Sequence, residues 1–173
     1  MAEKKRIVVL AADYYQELEA WYPILRLREA GHEVDVVGRD DGSETCESKR
    51  GYPLPVDYFA GSIKPENYNG VIVPGGFAPD ILRRDENILE LVRYQDKNQG
   101  LIAAICHGGW VLVSAGVLEE RKVTSTSAIR DDMENAGAEW VNEEVVVDEN
   151  MITSRAPGDL PAFMTEILNF LAK

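Results

Sequence analysis

The chain has 173 residues, two cysteines, two histidines and a formal charge of −12, from 18 basic against 30 acidic side chains. A chain of this length buries roughly 70% of the surface its unfolded form exposes and needs no disulfide framework, so Cys46 and Cys106 are expected to be free thiols in a reducing cytoplasm. The acidic balance disfavours nonspecific binding to nucleic acid or anionic lipid, and no segment approaches the ~20 apolar residues of a membrane span.

Residues 1–173 read as a single domain, without an internal repeat, a low-complexity tract or a long linker. The basic residues before "RIVVLAA" superficially resemble a signal peptide, but the apolar run is short and meets Asp13, so Arg6 to Ala12 reads as a first strand. Leu18, Trp21, Leu25 and Leu27 have helical spacing within Glu17 to Ala30, Gly31 ends that helix, and Glu33 to Gly38 is a second strand. The segment from Arg39 to Asn69 is irregular, with room for a short hairpin. Gly70 to Val73 is a buried strand stopped by Pro74-Gly75-Gly76. A helix from Glu86 to Lys97 and a strand from Leu101 to Ile105 follow, and then a helix that begins after Cys106 and ends near Gly116. Beyond it lie a short strand and a helix in "KVTSTSAIRDDMENAG", a hairpin turning at Asp148-Glu149-Asn150, and a final amphipathic helix from Leu160 to Leu171. Alternating strands and helices predict an α/β fold, a mostly parallel sheet with helices on both faces, whose ligand site lies at the carboxyl ends of the strands.

Cys106 stands where the fourth long strand stops, with Ala104 two residues before it and Gly108 two residues after it. A nucleophile elbow requires small residues at those two places, because the backbone folds back closely on itself. The helix N-terminus then favours the thiolate and predicts a lowered thiol pKa. The alternative is a small core residue, since free cysteine is among the most buried residue types. His107 reads as a general base, a donor to a bound oxyanion, or a surface residue at a helix start, and its backbone N–H is placed for an oxyanion hole in any case. Gly75 and Gly76 are candidates for the second donor, although a plain tight turn accounts for them equally well. His32, after Gly31 at a helix end, reads as structural.

Taken in order, "EAWYPILRLREAGHEV", "VIVPGGFAPD", "AICHGG", "KVTS" and "DDMENAGAEWVNEEVVVDENMITSRAPGDLPAF" resemble the PfpI family, the peptidase-like branch of the superfamily that also holds the Parkinsonism-linked deglycase. The resemblance spans Arg6 to Leu171. It implies a flavodoxin-like three-layer α/β sandwich that forms a homodimer, often a hexamer, with its site near a subunit boundary and without metal or cofactor. Cys106 falls on the family nucleophile, His107 on the histidine that follows it, and Glu19 on the site glutamate. Asp80 falls on the acidic position that orients the histidine from a neighbouring subunit in some members. Read from its position alone, Glu19 is a first-turn acid of a helix, and Asp80 is a helix cap. Gln16 stands where relatives often carry a second acid, and Thr126 where they often have an aromatic residue or histidine.

Three functions follow as expectations. The first is a cofactor-free glyoxalase or deglycase, acting on methylglyoxal, glyoxal or a glycated protein, in which Cys106 attacks the carbonyl and a protonated Glu19 shuttles protons. The second is an intracellular cysteine peptidase, which needs His107 as base and Asp80 as its orienting acid. The third is a redox-sensing or chaperone-like stress protein read out through Cys106. A glutamine amidotransferase would need a downstream histidine, and no histidine follows His107.

Overall fold

The computed structural model describes residues 3–173. Strand β1 (Arg6–Leu10) leads into helix α1 (Glu17–Glu29), strand β2 (Glu33–Gly38), a hairpin of β3 (Thr45–Glu47) and β4 (Pro53–Pro55), and the short β5 (Tyr58–Phe59). Strand β6 (Gly70–Val73), helices α2 (Ala78–Leu82) and α3 (Glu86–Lys97), strand β7 (Leu101–Ile105) and helix α4 (Gly109–Ala115) build the middle of the chain. The last third holds β8 (Lys122–Val123), α5 (Arg130–Asn135), β9 (Glu139–Trp140), the hairpin β10 (Val145–Asp148) and β11 (Met151–Ser154), and α6 (Leu160–Leu171).

Seven strands form one sheet in the order β10-β11-β7-β6-β1-β2-β5, parallel throughout except for the antiparallel β10. Without the two edge strands the order is that of flavodoxin-like folds, and β1 is the strand on whose two sides the chain winds in opposite directions. Every residue of β6 and β7 is buried, because α1 and α6 cover one face of the sheet and α2, α3 and α4 pack on the other. Continuous apolar runs such as "GVIV" and "LIAAI" are what such doubly covered strands require. The helices dock by spaced apolar residues: α6 buries Leu160, Phe163, Met164, Ile167 and Leu171, each worth about 2 kcal/mol when taken out of water.

Sequence and structure differ in three places. β1 stops at Leu10 rather than Ala12, because the chain turns at Tyr14, which has a left-handed φ of 62°. The irregular segment holds the hairpin, but also β5, which extends the sheet by pairing Tyr58 with Val37 and is too short for any alternation to reveal. The strand in "KVTS" does not join the main sheet: β8 pairs in parallel with β9 as a separate ribbon.

Register brings three carboxyl ends together. Val73 at the end of β6 lies opposite Ala104 of β7, and Val9 near the end of β1 lies opposite Ile72 of β6. The loops after β1 and β6 are then stitched to each other, Phe77 N–H donating to the Tyr14 carbonyl at 2.8 Å and Gln16 N–H to the Gly75 carbonyl at 3.2 Å.

Candidate active site

Cys106 leaves β7 with φ of 60°, a left-handed conformation that L-residues adopt rarely and at an energetic cost. The tight turn Cys106–Gly108 follows, and then α4. A Cβ on Gly108 would run into the Val73 carbonyl and come within 3.5 Å of the Ala104 Cβ, which explains why both flanking positions are small. The backbone N–H groups of His107 and Gly76 point at the sulfur.

Glu19 reaches this sulfur from α1. The Gln16 side chain caps the helix, its Oε1 accepting from Glu19 N–H at 2.9 Å, and Pro23 has no N–H to donate to the Glu19 carbonyl one turn earlier. Gln16 is thus a helix cap here, in the position where relatives often carry an acid. The Glu19 carboxyl is wholly buried and its Oε2 accepts from Gly75 N–H at 2.7 Å. A Cβ on Gly75 would lie 2.5 Å from that oxygen and 2.7 Å from the Cys106 Cβ, so glycine is required for carboxyl and thiol to share one crevice. Because Glu19 occupies its N–H, Gly75 is not a free oxyanion donor, contrary to the sequence expectation. Gly76 and His107 keep theirs directed at the sulfur.

The other carboxyl oxygen, Oε1, is buried without an aligned hydrogen-bond partner, yet thiol and carboxyl interact closely enough to shift each other's titration. No aligned hydrogen bond joins them in the resting geometry. Burial pushes the Glu19 carboxyl up to about 7, against the Gly75 N–H, the thiol and Lys49, which all favour the carboxylate. Burial also pushes the Cys106 thiol up to about 12, the Glu19 charge adds to the rise, and the N–H groups of His107 and Gly76 offset only part of it. The lowering expected from the helix N-terminus is therefore opposed, by desolvation first and by the facing carboxylate. Thiol and carboxyl therefore titrate as a coupled pair, and burial opposes charge on either member.

His107 Nδ1 lies 3.4 Å from Cys106 Sγ, and burial, with Lys49 nearby, lowers the imidazole pKa and favours its neutral form. Asp80 lies in the first turn of α2 and pairs with Arg84. It neither caps the helix, whose N-cap is Phe77, nor bonds to His107 among the described residues. Thr126 approaches through its backbone, its N–H donating to the Cys106 carbonyl at 3.4 Å. His32 is remote and structural, its Nδ1 accepting from Lys5 N–H at 3.2 Å.

Two residues that sequence reasoning missed stand at the site. Lys49 follows Ser48, which pairs with Tyr15, and its own N–H donates to the Tyr15 carbonyl at 3.1 Å; its cation acts on both Glu19 and His107. Gln16 and Lys49 also line a groove of about 650 Å³ that continues along Leu18 and Tyr52. Trp110 packs its ring edge-on against His107 at 5.2 Å; its place one helical turn after Cys106 was the available signal. Among the described residues no cluster of three or more His, Cys, Asp or Glu side chains could hold a metal ion, and no helix is long and apolar enough to cross a membrane.

A deglycase of Thermococcus kodakarensis is 43% identical over 166 residues, which cover 96% of this chain and 99% of that protein. DJ-1beta of Drosophila melanogaster superposes with a TM-score of 0.91 at 30% identity, over 98% of this chain and 91% of that one. A two-domain protein of Anabaena variabilis, with a DJ-1/ThiJ/PfpI-like and a ferritin-like domain, superposes with a TM-score of 0.94 at 37% identity over 97% of this chain; the chain spans 48% of its length. The family match itself runs through residues 5–170, nearly end to end, and the chain belongs to the DJ-1/PfpI family.

Proposed function

We propose that the protein is a cofactor-independent enzyme of the glyoxalase or deglycase type, acting on reactive carbonyl compounds. The observation that carries this reading is a buried carboxyl, poised near neutrality, in the same crevice as an elbow thiol. The name of the Thermococcus relative supports it. With methylglyoxal, Cys106 Sγ bonds to the aldehyde carbon, and the thiol proton leaves through Glu19 or His107 as the carbonyl oxygen becomes a hydroxyl. The N–H groups of Gly76 and His107 stabilise charge on that oxygen. Glu19 removes the proton from the former aldehyde carbon, giving an enediol, and returns it to the neighbouring carbon. The product is a lactyl thioester, which water cleaves to lactate and free thiol. A carboxyl with a pKa near the working pH suits this two-way transfer, and a thiol that stays protonated at rest needs a base of this kind.

A cysteine peptidase is the second reading, favoured by the 3.4 Å approach of His107 Nδ1 to Sγ. Asp80 then serves from a second copy, since within the protomer it is taken by Arg84. A redox sensor is the third reading, carried by the half-buried elbow thiol alone. The deciding experiment assays purified protein for methylglyoxal consumption without glutathione, beside a peptide substrate. Lactate formation lost in Cys106→Ser supports the first reading; peptide cleavage alone, lost in Asp80→Ala with the assembly intact, replaces it with the second.

A further inference from the structure

His107 has an aromatic partner where an acid-base pair would have a carboxylate. Its Nδ1 faces the thiol at 3.4 Å, and its other ring nitrogen makes no hydrogen bond among the described residues. The ring is instead met edge-on by Trp110, with centroids 5.2 Å apart and planes inclined at 61°. Trp110 is itself held at two points. Its indole Nε1–H donates to Asp132 Oδ2 of α5 at 2.8 Å, and the Arg83 guanidinium, fixed by a 2.8 Å bond from its Nε to Ser114 Oγ, lies over its ring at 5.7 Å. A half-buried tryptophan braced by a carboxylate on one side and a guanidinium on the other has little freedom, and the imidazole packed against it inherits that restriction.

We infer that Trp110, anchored by Asp132, is the positioning residue that holds His107 Nδ1 on the Cys106 thiol within a single protomer. The inference deepens the proposed function, since it assigns the imidazole as the thiol's immediate proton acceptor during attack on the carbonyl, with Glu19 free for the transfers between carbons. As the S–C bond forms, the thiol proton passes to Nδ1 of a neutral imidazole whose own proton sits on Nε2. The charged and titratable groups around this contact are Cys106 and Lys49 at the imidazole, Glu19 facing the same thiol, and Arg83 and Asp132 at the indole.

The test reads the thiol directly and needs no carbonyl turnover, so it stands even if the proposed activity is absent. The rate of Cys106 alkylation by iodoacetamide is measured from pH 5 to 10 in the wild type, Trp110→Leu, Trp110→Phe, Asp132→Ala, His107→Asn and the Trp110→Leu/His107→Asn double variant. The wild-type profile is expected to show an inflection that His107→Asn removes. Trp110→Leu should remove it too and slow alkylation at pH 7 at least about fivefold, with no further loss in the double variant. Asp132→Ala, exposed and outside the core, should give an intermediate profile, and Trp110→Phe should match it, because it keeps a ring but loses the indole N–H. In the NMR spectrum the His107 ring protons should lose their ring-current shift in Trp110→Leu. A wild-type profile without a His107 inflection, or a Trp110→Leu profile unchanged while thermal stability falls, would overturn the assignment. So would loss in the double variant equal to the sum of the single losses.

Discussion

Replacing Glu19 by glutamine separates two properties of Cys106. The glutamine oxygen still accepts from Gly75 N–H, but the negative charge that helps raise the thiol pKa is gone. Thiol alkylation at pH 8 should therefore rise in Glu19→Gln, while methylglyoxal turnover falls about 10²- to 10⁴-fold for want of a proton carrier. Unchanged values of both would return Glu19 to an ordinary helix acid. The same variant reads the buried carboxyl as a stability term. A carboxyl with a folded pKa of about 7, against an ordinary value of 4.5, makes the folded protein bind more protons than the unfolded chain between those pH values. Its contribution is fully present below pH 4.5, declines as pH rises through 7, and amounts to about 3 kcal/mol at most. Thermal melts between pH 4.5 and 8 should show wild-type stability falling relative to Glu19→Gln; parallel curves would refute the raised pKa. Cys46 contrasts in access rather than in titration: burial pushes both thiols up to about 12, but Cys46 is buried whereas Cys106 is half-buried at the elbow. Native alkylation should label one thiol per chain, vanish in Cys106→Ser and persist in Cys46→Ser, with turnover following the same pattern.

At the scale of elements, the site depends on how closely the loop after β6 approaches the start of α1. Gly75 is the point of contact, and Gly75→Ala inserts a methyl against both Glu19 Oε2 and the Cys106 Cβ. Neither neighbour can yield cheaply, since one carries the buried carboxyl and the other sits on a strained elbow. The expected cost is about 1–3 kcal/mol in denaturant unfolding, together with loss of turnover. Gly158→Ala is the control, because a Cβ there meets nothing within 4 Å, and it should be silent in both measurements. A Gly75→Ala protein of wild-type stability and activity would show that α1 and the turn can separate freely.

At the scale of the whole molecule, a chain of formal charge −12 exposes an apolar band. Leu18 and Leu25 of α1 are 55% and 58% exposed, and Tyr52 on the adjoining hairpin is 57% exposed. The band borders the groove that begins at Gln16 and Lys49. A second copy of the chain is the occupant expected here, because an apolar face of this kind on a highly charged surface marks an association site, and within one protomer Asp80 pairs with Arg84 rather than with His107. Light scattering should give at least a dimer. Leu25→Lys should shift it toward monomer, and turnover should fall with dissociation if the partner completes the site; a monomer in the wild type would refute the expectation.

The mostly parallel sheet was legible in the sequence because buried strands such as "GVIV" and "LIAAI" must be apolar on both faces, and the elbow was legible because only small side chains fit at Ala104 and Gly108. The helices α3 and α6 announced themselves through apolar spacing, whereas in α1 two of the four residues that carried the spacing, Leu18 and Leu25, face solvent and the buried side holds Glu19, Ala20, Pro23, Ile24 and Leu27. Short elements did not: β5 and the β8–β9 ribbon owe their existence to pairing partners distant in the chain, which no local pattern encodes. The coupled titration of Glu19 and Cys106 was likewise beyond sequence reasoning. A helix N-terminus next to a cysteine points to a thiolate, whereas burial of both groups and the carboxyl that faces the sulfur oppose it, quantities fixed only when β1, β6 and β7 end side by side. The Trp110 contact with His107, the Lys49 cation at the mouth of the site and the engagement of Gly75 N–H by Glu19 belong to the same class: each arises from the distance between groups that the folded chain, and not their order along it, brings together.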